Sequence, residues 1–251
     1  MGNHQISITA EFVSLIKSKT NPKYDYFVSN KAKRIFWFLS KFFSKRKIAE
    51  IFSNRIKISE EFDNFLEKNK FDCVVEFGCG YSLRGFEYSL KNEKSLYIDT
   101  DFSEVVKAKI QILNTICEKE NIGFPKNYLL ISLDVLKYNI PRKLNKLLKK
   151  RNLFFAEGLT TYFSEEEYSK FITQIQPFLS SKNNVFFSQE NFLKKSSITY
   201  KILRKIVVFL TKNKSHLKFE TKEDLINYLK QKGFDDCQGY YKSNNLFYRI
   251  N

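Results

Sequence analysis

The sequence is poor in the residues that build metal and disulfide sites. Its four cysteines, Cys73, Cys79, Cys117 and Cys237, are scattered without a CxxC pair, and only two histidines accompany them. A zinc site needs about four such ligands at close spacing, so we expect no metal centre. Scattered cysteines without a secretory leader are typical of a reducing compartment, and the expected localisation is cytoplasmic.

Long apolar runs and targeting signals are also missing. The longest apolar runs, such as Ile206 to Leu210, fall far short of the roughly 20 residues that a membrane-spanning helix needs. The first residues, MGNHQISIT, lack the basic and apolar regions of a signal peptide. Gly2 resembles a myristoylation start, but Ile6 stands where that signal requires Ser or Thr.

Positive charge is what the chain has in excess, with a net charge of +16. Such a charge suggests a nucleic-acid or anionic-lipid partner. The lysines are spread along the chain instead of forming one block, so we favour a compositional origin and do not favour nucleic acid. With 43% hydrophobic and 16% aromatic residues, the chain is expected to be globular.

Residues 1–70 are predicted to form an N-terminal helical cap. Within it, Arg34–Phe52 mixes aromatic and basic residues at roughly helical spacing. One interpretation is a membrane-surface or substrate-covering helix. The favoured interpretation is a helix that packs on the core through its aromatic face, with its lysines turned outward.

From residue 71 to 251 the pattern changes to alternating strands and helices. This alternation predicts a doubly wound, Rossmann-like α/β domain with a mostly parallel sheet. A helical insertion is expected at about residues 191–219, and a C-terminal antiparallel hairpin should close the sheet. The predicted strands are Cys73–Phe77, Ser95–Asp99, Tyr128–Leu133, Leu153–Glu157, Asn184–Gln189, Asp235–Tyr241 and Leu246–Ile250.

A glycine loop, Gly78-Cys79-Gly80, follows the first of these strands. Glycines allow positive φ and close approach of the backbone to a ligand, and the next helix offers free N–H groups at its start. Glu76 lies two residues before the loop. Because Leu83 occupies the third glycine position of the dinucleotide pattern, the loop favours a cofactor without a pyrophosphate.

Acidic residues at the ends of the following strands complete a candidate nucleoside site. Asp99 and Asp101, about twenty residues past the loop, compete for the role of binding the ribose hydroxyls. Asp134, followed by Val135, ends the third strand and suits an adenine ring. All three strand ends are expected at one edge of the sheet.

The segment after the fourth strand supplies two further candidates. Glu157 can meet a cationic end of the cofactor, and Tyr162 can line the reaction site, although an aromatic side chain there is as often simply packed. Ser164 and Glu167 have the spacing of a capping box and are interpreted as structural.

In the order EFGCGYSLRG, YIDTDFSEVVKAK and AEGLTTYFSEEE, these pieces resemble the leucine carboxyl methyltransferase-like family, which includes tetracenomycin-type polyketide O-methyltransferases. The resemblance implies that S-adenosylmethionine is the cofactor. It places Gly78 at the cofactor, Asp101 at the ribose, and Asp134 with Val135 at the adenine. Glu157 then lies by the methionine moiety. The sequence departs from the family pattern at Ser82-Leu83 and at Ser103.

Two arginines also match family positions. Arg55 corresponds to the arginine that clamps the cofactor carboxylate, a task suited to its forked geometry, and Arg84 corresponds to a basic position just after the glycine loop. The implied reaction is methyl transfer to a carboxylate or hydroxyl of a small molecule or protein. A hydroxyl acceptor would profit from a base, for which Tyr162 or His216 is the candidate. The alternatives are an RNA methyltransferase and a non-catalytic cofactor-binding or membrane-peripheral module.

Overall fold

The computed structural model describes residues 4–42, 59–181, 183–191, 219–234, 237–242 and 245–250. Four of the sequence-based expectations therefore lie wholly or mostly outside the described residues. These are Arg55, His216, the insertion at 191–219 and the second half of the helix expected over Arg34–Phe52.

The described strands form one seven-stranded sheet. They are β1 (Cys73–Phe77), β2 (Leu96–Asp101), β3 (Tyr128–Ser132), β4 (Asn152–Ala156), β5 (Val185–Asn191), β6 (Cys237–Lys242) and β7 (Asn245–Ile250). The spatial order is β3-β2-β1-β4-β5-β7-β6. The first five strands are parallel, whereas β7 pairs antiparallel with both β5 and β6. The doubly wound sheet with a C-terminal hairpin, expected from the sequence, is confirmed.

Helices connect the parallel strands and precede the sheet. They are α1 (His4–Lys17), α2 (Asn30–Phe42), α3 (residues 59–68), α4 (Arg84–Lys91), α5 (Ser103–Glu120), α6 (Ile140–Leu144), α7 (Glu165–Ile175) and α8 (Lys222–Gln231). Short 3₁₀ turns cover Pro22–Phe27, Thr160–Tyr162 and Gln176–Ser180. The capping box at the start of α7 is present, with Ser164 and Glu167 bonding reciprocally.

The short helix α6 begins at Ile140 and ends at Leu144. The Asn139 side chain accepts from the Arg142 N–H at 2.9 Å, and Pro141 occupies the first turn. This cap and this proline define where the helix begins, because both stabilise a helix N-terminus.

Both faces of the sheet are covered by apolar packing. The central strands β1 and β4 are buried throughout, as is typical of mainly apolar strands covered on both faces of a parallel sheet. Side chains on one face pack against α7 and α8, and those on the other pack against α3, α4 and α5. Residues of the N-terminal 70 join the second face. Phe62 of α3 stacks on Phe155 of β4, with ring centroids 3.4 Å apart.

The strand order places a crevice at the carboxyl ends of β1 and β4. The chain proceeds from β1 to β2 and β3 on one side, then returns to β4 on the other side of β1. The connections leaving β1 and β4 therefore diverge, and ligands of open α/β sheets bind where this reversal occurs. Within the described residues, no helix is long and apolar enough to cross a membrane.

Candidate cofactor-binding site

The glycine loop follows β1 at this crevice. Gly78 and Gly80 have φ values of 64° and 51°, which L residues with side chains rarely adopt. A Cβ on Gly78 would lie 2.9 Å from the Leu159 Cδ1, so this position also lacks room for a side chain. The Cys79 N–H donates to the Thr100 carbonyl at 3.0 Å. The loop is thereby fastened to the end of β2.

The Asp101 side chain is hydrogen-bonded to this loop. One carboxylate oxygen accepts from the Gly80 N–H and the other from the Phe102 N–H, each at 2.7 Å. Burial raises the pKa of Asp101 to about 6, and the two backbone N–H groups act in the opposite direction. The carboxyl group is thus held beside the glycine loop, where its protonation can change in a mildly acidic solution.

Asp99 has a different environment, although it is only two residues away. Its carboxylate is fully buried and accepts from the Lys109 ammonium at 2.6 Å and from the Tyr128 hydroxyl. Burial lowers the pKa of Lys109, but the charge and hydrogen bond of Asp99, together with neighbouring Cys79 and Glu76, outweigh this and the net shift is upward. Of the two acids that the sequence left in competition, Asp99 is occupied by an internal ion pair and Asp101 borders the loop.

Asp134 and Val135 lie next to Asp101 at the end of β3. The neighbouring Leu133 N–H donates to the Asp101 carbonyl at 2.8 Å. Asp134 accepts from the Leu136 N–H at 3.1 Å and lies 3.4 Å from the Lys137 ammonium. The Val135 side chain is buried. The three strand ends therefore meet at one edge of the sheet, as parallel topology requires.

Arg84 organises a second group of side chains on the β4 side of the loop. Its guanidinium donates to Glu76 at 3.0 Å, to Glu157 at 2.7 Å and also to the Asp63 carboxylate. It donates to the Ser59 hydroxyl at 2.6 Å as well. The side chain is buried, and its desolvation is offset by these three carboxyl groups.

The aromatic rings beside Arg84 complete its surroundings. The guanidinium carbon lies 4.9 Å from the centre of the Phe62 ring and 5.0 Å from that of Phe155. Ser59, Phe62 and Asp63 are three and four residues apart on α3, so one face of this helix supplies all three contacts. The sequence singled out Arg84 itself, but none of these α3 partners.

Glu76 lies beneath this arrangement. It accepts from Arg84 and, at 2.6 Å, from the Tyr97 hydroxyl. Burial raises the pKa of Glu76 to about 7, while the charge of Arg84 acts to lower it. The Glu76 carboxyl group is buried, and each of its oxygens accepts a hydrogen bond. Glu76 therefore helps to hold the Arg84 side chain in place.

Lys17, which the sequence did not identify, reaches the same group from α1. Its ammonium donates to the Ser59 hydroxyl at 3.0 Å, and that hydroxyl lies 3.4 Å from Glu157. Burial lowers the pKa of Lys17, but nearby Tyr24, Glu157 and Asp63 together raise it more, and the net shift is upward. The Ser59 hydroxyl therefore lies between the Lys17 ammonium and the Glu157 carboxylate.

The helix α1 forms a wall across the loop. Ala10, Ser14 and Lys17 recur at helical spacing, and a Cβ on Gly80 would lie 3.3 Å from the Ala10 Cβ. Farther along the chain, the Tyr24 hydroxyl accepts from the Leu83 N–H at 3.1 Å, at the start of α4. The N-terminal residues Ala10 and Tyr24 thus lie directly beside the glycine loop and the start of α4.

The remaining predicted residues are placed as follows. Tyr162 lies in the turn after Glu157, and its partly buried side chain packs against the core. Cys79 is buried, and burial raises the pKa of its thiol well above the ordinary value. Arg55 lies outside the described residues. Within the described part of the chain, no group of three His, Cys, Asp or Glu side chains could hold a metal ion.

Comparison with known proteins decides the family. The family model described as leucine carboxyl methyltransferase matches residues 27–176, which is more than half of the chain. The chain belongs to this leucine carboxyl methyltransferase family. The family expected from the motifs is therefore confirmed. No curated protein matches the sequence.

Solved structures similar to this family member share its fold. PigF with SAH has a TM-score of 0.55 at 10% identity, over 76% of this chain and 54% of that one. An O-methyltransferase family protein from Burkholderia thailandensis has a TM-score of 0.53 at 8% identity, over 83% and 60% of the two chains. Magnesium protoporphyrin IX methyltransferase (ChlM) from Synechocystis PCC 6803, with bound SAH, has a TM-score of 0.52 at 14% identity, over 80% and 84%. The chain spans little more than half the length of PigF.

Proposed function

We propose that this chain is an S-adenosylmethionine-dependent O-methyltransferase. The observation that carries the proposal is the position of Asp101, whose carboxylate is held 2.7 Å from the Gly80 N–H of the glycine loop. Family membership supports it, as do structural neighbours solved with SAH. When bound, S-adenosylmethionine supplies an electrophilic methyl group on its sulfonium.

The chemistry of the described residues fits this cofactor. Asp101 can accept from the two ribose hydroxyls, and Asp134 can accept from the adenine amino group beside the Val135 backbone. The two positive-φ glycines let the main chain approach the ligand without a side chain between them. These assignments use acceptors at the carboxyl edge of the sheet, where ligands of this fold class bind.

The Arg84 group fits the amino-acid end of the cofactor. Three carboxyl groups, those of Asp63, Glu76 and Glu157, face two cations, Arg84 and Lys17. We assign Glu157 to the cofactor ammonium and Lys17 to its carboxylate. Arg84 is then a positioning residue, because its donors are directed to Glu157, Glu76, Asp63 and Ser59. Arg55, which the resemblance assigns to the carboxylate, stays a prediction.

The acceptor is proposed to be an oxygen of a carboxylate or hydroxyl group. In-line methyl transfer depends mainly on alignment, and positioning alone can supply roughly 7–11 kcal/mol. A carboxylate is already ionised and needs no base, whereas a hydroxyl gains from one. Tyr162 stays the candidate residue on the acceptor side, as expected from its place five residues after Glu157.

Calorimetry with S-adenosylhomocysteine tests the cofactor assignment. Wild-type protein should bind, and Asp101→Asn should bind at least tenfold more weakly, because a charge-assisted hydrogen bond is worth about 1.5–3 kcal/mol. The matched control is Glu93→Gln, which removes one exposed carboxylate from a turn on the opposite edge of the sheet. Equal affinity in wild type and Asp101→Asn would show that the site has been wrongly assigned.

A second measurement separates the two kinds of acceptor. Transfer of a labelled methyl group to a carboxylate yields an ester that alkali hydrolyses to volatile methanol, whereas an ether product resists alkali. Protein and small-molecule acceptors can be compared in the same assay. If label reaches nitrogen or carbon acceptors and no oxygen, the O-methyltransferase proposal fails while cofactor binding stands.

A further inference from the structure

The helix α2 presents an exposed face that combines aromatic and basic side chains. Lys31, Arg34, Trp37, Phe38 and Lys41 are all exposed. At 3.6 residues per turn, these five positions fall within roughly one third of the helix circumference. The expectation that this segment packs on the core through its aromatic residues is wrong for Trp37 and Phe38, which are 59% and 51% exposed.

The opposite side of α2 fixes which face is turned outward. Ala32 is buried there, and its N–H donates to the Ser29 hydroxyl at 3.2 Å. The Ser29 N–H in turn donates to Glu11 of α1 at 3.0 Å. Two residues before Ser29, the Phe27 ring lies 5.2 Å from the Tyr81 ring beside the glycine loop. The exposed face therefore lies on a helix whose first residues are bonded to α1 and follow a segment packed beside the glycine loop.

The chemistry of this face is complementary to an anionic interface. None of the 13 residues of α2 is acidic, and four of them are Lys or Arg. The Lys41 ammonium lies 3.8 Å from the centre of the Trp37 ring. Exposed Trp and Phe side chains favour the boundary between lipid headgroups and acyl chains, and neighbouring cations favour anionic headgroups. Large exposed apolar groups also mark interaction surfaces in general.

We propose that the α2 face, consisting of Lys31, Arg34, Trp37, Phe38 and Lys41, docks on an anionic lipid surface. The aromatic side chains enter the interface while the three cations contact headgroup phosphates. We favour lipid over nucleic acid because the Lys41 ammonium covers one face of the Trp37 ring. A nucleic-acid base that stacked on this face would have to displace Lys41. The proposal does not rest on the methyltransferase activity.

The chain carries its own reporter for this interaction. Trp37 is its single tryptophan, so the intrinsic tryptophan fluorescence comes from the proposed surface alone. The full chain is titrated with phosphatidylglycerol–phosphatidylcholine vesicles and with pure phosphatidylcholine vesicles. We expect a blue shift of Trp37 emission, and quenching by brominated acyl chains, with the anionic vesicles only.

Charge variants on and off the face make the test specific. Arg34→Gln with Lys41→Gln should weaken vesicle binding about 30-fold, since each basic residue near an anionic surface contributes about fivefold. The control, Lys91→Gln with Lys94→Gln, removes the same charge from exposed positions at the end of α4 and in the turn before β2, and should bind as wild type. Circular dichroism melting checks that both variants remain folded.

Three outcomes would overturn the proposal. Trp37 emission that does not change with saturating anionic vesicles excludes docking of this face. Equal weakening in both charge variants shows attraction by net charge without a defined surface. A blue shift produced by single-stranded RNA and by no vesicle assigns the face to nucleic acid.

Discussion

Arg84 and Glu157, 73 residues apart in the sequence, are joined by a 2.7 Å ion pair between the start of α4 and the end of β4. Arg84 begins α4 after the glycine loop, and Glu157 follows β4, so the pair bridges the two diverging connections of the crevice. The same guanidinium also contacts Asp63 of α3. One buried side chain thereby links the glycine loop, the fourth strand and α3.

Replacing Arg84 should destabilise the fold as well as the site. Arg84→Met leaves Glu76 buried without its ion-pair partner, and breaking a buried pair costs about 3–5 kcal/mol. Urea denaturation measures the free energy of unfolding. Arg142→Met, at an exposed position in α6, is the control and should change it by less than about 0.5 kcal/mol. Equal stability of the two variants would contradict the role given to Arg84.

Cofactor affinity should depend on pH through Asp101. The pKa of this carboxyl is raised to about 6 in the folded protein, so the group is ionised above that pH and protonated below it. Ribose hydroxyls donate best to the ionised form, so S-adenosylhomocysteine affinity should rise up to about pH 6. Below that pH it should fall as much as tenfold per pH unit.

Calorimetry between pH 5 and pH 8, about one unit below to two units above the Asp101 pKa, measures this dependence. Asp101→Asn should bind weakly and lack the change centred near pH 6. If the variant keeps the wild-type pH dependence, another group titrates. Glu76, with a pKa raised to about 7, is then the next residue to replace.

Lys17→Met should weaken binding of ligands that carry the cofactor carboxylate. Loss of a charge-assisted hydrogen bond worth about 1.5–3 kcal/mol corresponds to about 10- to 100-fold for S-adenosylhomocysteine. 5′-Methylthioadenosine has the nucleoside but no amino-acid end, and its affinity should not change. Lys19→Met, at an exposed position just after α1, is the control. A parallel loss for both ligands would instead mean that Lys17 only supports the fold.

Gly78→Ala should destabilise the loop for two separable reasons. A positive φ of 64° costs a residue with a side chain about 1–3 kcal/mol, and the new Cβ lies 2.9 Å from Leu159. Leu159→Ala in the same chain should relieve the steric part and leave the backbone part. Gly123→Ala is the matched control, because no heavy atom lies within 4 Å of its Cβ position. Thermal melting of the wild type, Gly78→Ala, the double variant with Leu159→Ala, and Gly123→Ala measures the steric and the backbone contributions.

Some differences between expectation and structure have a clear physical cause. Asp99 and Asp101 lie on the same strand and would both suit a ribose in sequence. The structure separates them because Lys109 of α5 and Tyr128 of β3 enclose Asp99. Strand boundaries differ by one or two residues, as at β2, because a strand ends where its neighbours stop pairing.

The exposed aromatics of α2 show a second limit of sequence patterns. Arg34 and Lys41 lie three and four residues from Trp37 and Phe38, and this spacing indicates a common face. Periodicity cannot say whether that face meets the core or solvent. Ala32, which carries the smallest side chain of the helix, lies on the buried side instead. Hydrogen bonds from the Ala32 N–H to Ser29 and from the Ser29 N–H to Glu11 hold the start of this helix against α1.

The sequence by itself determined the local features of this protein: the apolar strands, the glycine loop Gly78–Gly80, the capping box at Ser164 and the family. These depend on residues close together in the chain, where backbone sterics and hydrogen bonding act at short range. Only the tertiary structure decided that Lys17, Ser59 and Asp63 gather around Arg84 and Glu157. Those contacts join residues 21 to 98 positions apart, and their energy arises only when burial brings the charges together.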